Sequence, residues 1–497
     1  TINSINIGKG ANSVSGNTVL GESALDASVS GASNTALGSF CLTELTSGSN
    51  NVAVGKDNSR SLTTGSSNVS VGAFAFDAAT SAENCTAIGK SALTSLTTGS
   101  NNTALGKEAL LSNTTGEQNT AIGALALDAN TTGSFNTGLG LQALTENTTA
   151  DSNTALGYKV LHTNTTGTTN TAAGRNAMLN NTTGSQNVAV GAFALDANTT
   201  ASNNTAFGYA ALTANTTGTQ NVAVGAFALD ANTTANRNTA VGYQALTTTT
   251  TGADNSAFGR GALASTTTGD NNTGLGRQAL AANTTGAENV AVGALALDAL
   301  TTANHNSCLG DSSLTAVTTG TQNTAIGRAA GSSITTGSNN TCLGYNTGTT
   351  GSPNGAIGTA SNLVIIGDNN VTNIYAKVSV TSTSDERDKT DITDFIKGLD
   401  IINALRPVTY KWDMRSNYDD NTPNGTKKGT TTEIGLIAQE VETVEKANGY
   451  ASSENDRLLF TKSTDGLYYG LRYERLTAVL INAIKELSAK VTALEAG

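Results

Sequence analysis

The sequence predicts a mainly β protein: a solenoid of about twenty 17-residue rungs, then a small α+β domain that ends in a helix. Three observations carry this. Glycine recurs at positions 21, 38, 55 and onward to 327 and 344, twenty times at a spacing of 17 without an insertion, and so strict a period marks one structural rung per repeat. Charged residues make up 13% and aromatics 4% of 497 residues, with 54 Gly and 3 Pro, too few large side chains to fill one wide core. From Ser384 the composition turns at once to Pro, Trp, Tyr and paired charges, which places a domain border there.

Four regions follow: a lead-in over 1–16, the repeat rod over 17–344, a β neck over 345–383 and the terminal domain over 384–497. The opening, TINSINIGKG, has no Met and no signal-peptide pattern, and reads as part of a fragment or a processed chain. No apolar run approaches the roughly 18 residues of a membrane span. A net charge of −11 repels phosphate backbones and anionic lipid, so neither nucleic acid nor a membrane is expected as a partner.

Aligned on its glycine, the unit reads N-T-A-(L/V/I/F)-G-x-x-A-L-x-x-N-T-T-G-x-x, as in Asn119-Thr120-Ala121-Ile122-Gly123. Seventeen residues are too few for a helical hairpin, and Thr, Val and Ile ahead of Gly favour a short strand. Rungs stacked at about 4.8 Å give a rod on the order of 90 Å long. The first position is Asn in every rung but one, where Cys85 stands. Stacked amides bonding along the axis, or a turn-former chosen for its backbone, would each explain it. Alternation puts Asn and Ala on one face and Thr with Leu37, Val54, Val71 and Ile88 on the other. One coil has only one interior, so the second apolar row requires an identical chain, a homo-oligomer.

The N-T-A-x-G-x-x-A-L unit resembles the left-handed β-roll repeats of trimeric autotransporter adhesin heads over residues 17–344. The resemblance implies a left-handed solenoid in a homotrimeric rod. It departs at the far end, where nothing supplies the membrane β-barrel of such adhesins.

Chemistry is sparse in the rod. Asp26, Asp77, Asp128, Asp196, Asp230 and Asp298 recur in A-(L/F)-D-A, where an acid bonding its own backbone makes a turn. Asp196 and Asp230, two rungs or roughly 10 Å apart, are the one hint of a polysaccharide-degrading spike. Cys41, Cys85, Cys308 and Cys342 replace small residues and read as fillers. No metal and no cofactor is expected. His162 and His305 are read as surface residues. Neighbouring Thr114 and Thr115 point to opposite sides of a strand, against an ice-binding row, and any glycan contact along the rod has no visible location.

Past Tyr345 the register fails, and the segments 363–367 and 373–378 read as short strands of the neck. In the terminal domain a helix is expected over 392–405, strands over 408–412 and 433–438, and a helix over 439–446. A last helix from about 471 spaces Thr477, Leu480, Ile484, Leu487, Val491 and Leu494 by three and four, the seam of a short coiled coil.

The segments SDERDK, LRPVTYKW, GLIAQEVE and YERLTAVLINAIKEL, in that order over 384–497, resemble the intramolecular chaperone domain that ends endosialidases, other phage tail spikes and fibres, and myelin regulatory factor. Asp388 stands where that family usually has an apolar residue, and the Pro that tends to follow the QEVE segment is missing. The resemblance implies a domain that trimerises, templates the fibre and cuts itself off between Thr383 and Ser384, with Ser384 as nucleophile and Lys389 as base. An amine is a base only when neutral, so this requires burial or neighbouring cations around Lys389. Arg387 would stabilise the oxyanion or orient the loop, and Asp385 would orient its neighbours. The plain alternative for Lys389 is a surface ion pair with Asp385 or Asp388. The expected whole is a trimeric virion tail fibre or spike for host attachment. It would be held at its N-terminus by a tail or baseplate protein and meet a host-surface glycan or protein receptor. The alternative is a bacterial surface or injection-machine fibre, extracellular rather than virion-borne, with the same maturation domain.

Overall fold

The computed structural model describes residues 5–352, 355–377, 382–415, 418, 420, 422–463, 466 and 468–497. Two compact units divide the chain, residues 1–307 and 308–497.

In the first unit β1 (Ile5–Gly8) pairs antiparallel with β2 (Thr18–Glu22), Ile5 opposite Glu22. From β2 onward the chain coils. Three-residue strands keep the 17-residue spacing, from β3 (Thr35–Leu37) to β18 (Val290–Val292) in this unit and again at β20 (Thr324–Ile326) and β21 (Thr341–Leu343) in the second, with β19 (Ser307–Leu309) at the border. The pairing is parallel and in register, as where Thr120, Ala121 and Ile122 face Thr137, Gly138 and Leu139.

The middle residue of each strand points inward, and the Ala and Leu of the return segment meet it: Ala121, Ala126 and Leu127 are all fully buried. The fourth rung position faces out, with Leu156 48% and Phe207 54% exposed. Alternation therefore sorts the rung as the sequence implies, with one apolar row inside and one outside.

The invariant glycine has a steric cause. Gly123 has φ of 133°, and a Cβ there would lie 2.4 Å from the Gly140 carbonyl oxygen on the next rung. The inward leucines are less expected, since Leu110, Leu127 and Leu144 hold φ between 51° and 55°. A left-handed leucine costs about 1–2 kcal/mol, which burial of its side chain, worth about 1.5–3 kcal/mol, offsets.

Two asparagine columns run inside the coil. At the first rung position Asn119 donates its amide N–H to Asn102 Oδ1 at 3.0 Å and its Nδ2–H to the Gly133 carbonyl at 2.8 Å. The Asn136 amide donates in turn to Asn119 Oδ1 at 2.9 Å, so the bonding joins three rungs and the column is a ladder and not merely a set of turn-formers. A second ladder, at the twelfth position, joins side chain to side chain: Asn130 Nδ2 donates to Asn113 Oδ1 at 3.1 Å, and the same bond repeats through Asn232. Buried amides are costly unless paired, and here each rung pairs the next. The four cysteines are buried thiols, and burial pushes those of Cys41, Cys85 and Cys342 up to about 11.

In the second unit β22 (Val364–Ile366) still pairs parallel with β21, Thr341 facing Val364, after a step of 23 residues instead of 17. The register fails where expected, yet the coil closes once more. Residues 373–377 form no strand, and 378 lies outside the described residues.

Further on, α1 (Leu399–Ala404), β23 (Val408–Tyr410), β24 (Glu433–Gly435), α2 (Ala438–Ala447), β25 (Phe460–Lys462), β26 (Tyr469–Leu471) and α3 (Leu476–Glu495) complete the domain. The first helix is shorter than its apolar spacing suggests, because its start is set by contact. A Cβ on Gly398 would lie 2.3 Å from the Ala483 amide nitrogen, so only glycine lets α1 approach α3 this closely. The Leu399 amide donates to the Glu486 carboxylate of α3 at 3.1 Å. Strands β23 and β24 pair antiparallel, as do β25 and β26, a hairpin the sequence reading misses. Ile401, Val441, Val444, Leu459, Phe460 and Val479 form the small core.

Candidate active site

The border segment is a single 3-10 turn over Glu386–Asp388. Asp385 starts it: its carboxylate accepts the Arg387 amide at 2.9 Å and both arms of the Arg387 guanidinium, Nε at 3.0 Å and Nη2 at 2.7 Å. This fork holds the Asp385 carboxyl below the usual carboxylate range, chiefly through the side-chain bonds from Arg387. The turn then reverses the chain. The Lys389 amide donates to the Glu386 carbonyl at 3.1 Å, and the side chain swings back to residue 384.

There the two expected reaction groups meet. Lys389 Nζ lies 2.7 Å from Ser384 Oγ and 3.1 Å from the Ser384 carbonyl oxygen. The alternative, an ion pair of Lys389 with Asp385 or Asp388, does not form within 4 Å among the described residues; Asp385 is taken by Arg387 instead. A hydroxyl next to a peptide bond with an amine in hydrogen-bond reach is the geometry nucleophilic attack on that bond requires. Residues 382–394 are all exposed in the single chain. Burial that would favour the neutral amine is therefore not supplied by the chain's own fold around this turn.

Elsewhere in the domain, Glu445 on α2 is fully buried, and its carboxylate accepts the backbone amides of Leu458, at 2.9 Å, and Leu459. Sequence reasoning passes over it as one more polar residue of an amphipathic helix. Its register beside Val441 and Val444, on the apolar face, is the available signal. The last helix has two faces. Val479 and Ala483 are buried against the domain, while Ile484, Leu487, Val491 and Leu494 of the expected seam are 66%, 53%, 44% and 82% exposed.

In the rod's acid column Asp77, Asp128 and Asp196 are half-buried, whereas Asp26 is exposed. Desolvation raises Asp77, Asp196 and Asp128, the last to about 6. Asp230 differs, accepting the Thr247 hydroxyl of the following rung.

Residues 384–450 match the family model described as chaperone of endosialidase. The match begins at the serine held by Lys389 and ends shortly after α2, before the hairpin and α3. Comparison with curated proteins and with solved structures gives no match. With the long solenoid ahead of it, the matched segment fits a tail fibre or spike that ends in an intramolecular chaperone domain of the endosialidase type.

Proposed function

We propose that the chain is the protomer of a homotrimeric attachment fibre, borne on a virion tail, whose residues 384–497 template assembly and then release themselves by one cut between Thr383 and Ser384. The observation that carries the cut is the 2.7 Å contact of Lys389 Nζ with Ser384 Oγ. The outward apolar row of the rod and the exposed seam of α3 support the trimer, since both leave apolar surface that three parallel copies would cover.

In the cut, Ser384 Oγ adds to the Thr383 carbonyl carbon and its proton passes to Lys389 Nζ. The C–N bond breaks as the Ser384 nitrogen takes that proton, leaving the Thr383 acyl group on Oγ as an ester. Water then hydrolyses the ester. Asp385 positions Arg387, whose guanidinium would face the developing oxyanion. Trimer formation would bury the turn, favour the neutral amine and so time the cut after assembly. The fibre's N-terminal end would sit on a tail or baseplate protein, and its surface would meet a host glycan or protein.

Denaturing electrophoresis with mass spectrometry tests this. Fresh wild-type protein should yield a chain ending at Thr383 and a fragment starting at Ser384, whereas Ser384→Ala and Lys389→Ala should each stay whole while remaining assembled. Intact wild-type chains after long incubation of verified trimers would sink the self-cleavage reading.

A further inference from the structure

The rung position directly after the invariant glycine gathers the rod's positive charge. Six of the nine Lys and Arg between residues 17 and 307 stand there, at 56, 90, 107, 175, 260 and 277. Asp57 and Glu108 neighbour two of them, 3.5 Å from Lys56 and 3.3 Å from Lys107. Over the rungs from 158 to 277, neither this position nor the next carries an acid.

That acid-free stretch also holds an unbroken aromatic ladder. Phe193, Tyr209, Phe227 and Tyr243 meet edge to face in sequence, with ring centroids 6.0, 5.3 and 6.2 Å apart. Arg175 closes one end, its guanidinium 4.8 Å from the Phe193 ring centre, and Arg260 and Arg277 continue the column beyond Tyr243. Backbone bonds fix the strip, Phe193 N–H to the Arg175 carbonyl at 3.0 Å and Phe227 N–H to the Tyr209 carbonyl at 3.1 Å. Tyr209 and Tyr243 are exposed, as are the three arginines. Stacking of rungs does not need rings here, because Lys90-Ser91 and Lys107-Glu108 fill the same two positions elsewhere.

We propose that this strip binds a linear acidic polysaccharide. Eight rungs at the strand spacing span about 34 Å, an extended track suited to a chain ligand. Aromatic faces pack against the apolar C–H faces of sugar rings, and guanidinium forks at both ends donate to carboxylates in bidentate fashion. The chain as a whole carries −11, so the strip is a local exception in a field that repels bare polyanions such as duplex DNA. A sugar chain that stacks as well as pairs charge overcomes that field where a phosphate backbone does not. The inference rests on the reading of the rod as an attachment fibre and is independent of self-cleavage.

The test uses the full-length protein, titrated with alginate oligosaccharides, neutral dextran and duplex DNA, with light scattering for mass and mass spectrometry for cleavage on the same samples. Wild type should bind alginate in a salt-sensitive way and leave dextran and DNA unbound. Tyr209→Ala with Tyr243→Ala, and separately Arg175→Ser with Arg260→Ser and Arg277→Ser, should each weaken alginate binding by about tenfold at unchanged mass. Absence of alginate binding by wild type, unchanged binding by either variant, or DNA bound as tightly as alginate overturns the proposal. So does loss of oligomeric mass in either variant, which would make the strip a contact between copies. Cleavage read in the same tubes keeps a failure of attachment separate from a failure of maturation.

Discussion

The rod and the terminal domain solve opposite problems. In the rod, each rung presents amides and carbonyls that the next rung satisfies, so Asn119 donates its amide to Asn102 Oδ1 on one side and accepts the Asn136 amide on the other within one chain. The terminal domain closes only a small core, and leaves the seam of α3 and the Ser384–Lys389 turn in solvent. A repeat gains order by addition, each rung contacting its neighbours. A small domain with a large exposed apolar face gains it by association. Under the proposed trimer, assembly would begin at the C-terminus and the slow parallel coiling would follow.

The sharpest break of that comparison is at the seam. Ile484→Asp with Leu487→Asp puts charge on residues that are exposed in the single chain, so the domain itself should fold. In a coiled-coil trimer the same positions meet their copies, and unpaired buried charge there costs several kcal/mol per chain. Light scattering should report loss of the trimer altogether, and cleavage should slow although Ser384 and Lys389 are untouched. A variant that stays trimeric would remove α3 as the assembly element.

Within the domain, Glu445→Ala should cost about 2–4 kcal/mol by leaving the amides of Leu458 and Leu459 without an acceptor. Glu445→Gln keeps one oxygen and should lose less. Denaturant midpoints of the two variants check the order. No single change in the rod should unfold so much, because damage to one rung is shared with its neighbours alone.

How much of this was legible depends on what repeats. The 17-residue period, the inward Ala and the outward row of Leu156 and Phe207 are visible because one steric rule, a glycine that must clear the next carbonyl, is written twenty times. The border at Ser384 and the reach of Lys389 back to it are legible through the SDERDK segment, which packs its geometry into six neighbouring residues. The left-handed leucines were not legible, since their strain is offset by burial that only the closed coil defines. Glu445 was hidden for the same reason: its partners, Leu458 and Leu459, are distant in sequence. The start of α1 is set by the approach of Gly398 to Ala483, a contact with no local signal.

The twelfth-position ladder offers a gain instead of a loss. It stops after Asn232, where Thr249 and Thr266 take the next two places before Asn283. Among the described residues, Asn232 Oδ1, Thr249 Oγ1, Thr266 Oγ1 and Asn283 Oδ1 are buried without a partner. Thr249→Asn with Thr266→Asn should bridge the gap and raise stability by about 2 kcal/mol, read as a higher midpoint. An unchanged or lower midpoint would mean that the two threonines are held for packing.

The smallest effect concerns charge in the rod. Burial, reinforced by the neighbouring charges of Glu108 and Glu146, raises the Asp128 carboxyl from 3.8 to about 6, so the folded chain holds a proton that the unfolded chain releases more easily. Near and below the unfolded value both states are protonated and the site costs nothing. As pH climbs toward 6 the unfolded carboxyl ionises first and stability is lost; above that the loss stays constant. Asp77 and Asp196 shift in the same direction by burial. Asp128→Asn removes the titration, so its stability relative to wild type should rise between pH 4 and 6 and then level off. Because the carboxylate is only half-buried, the plateau should be about 1 kcal/mol after allowance for solvent screening. Denaturant midpoints of both proteins at pH 4, 5, 6 and 7 decide it: a difference that falls with pH, or none at all, would show that the acid column is held by turn geometry without a penalty from burial.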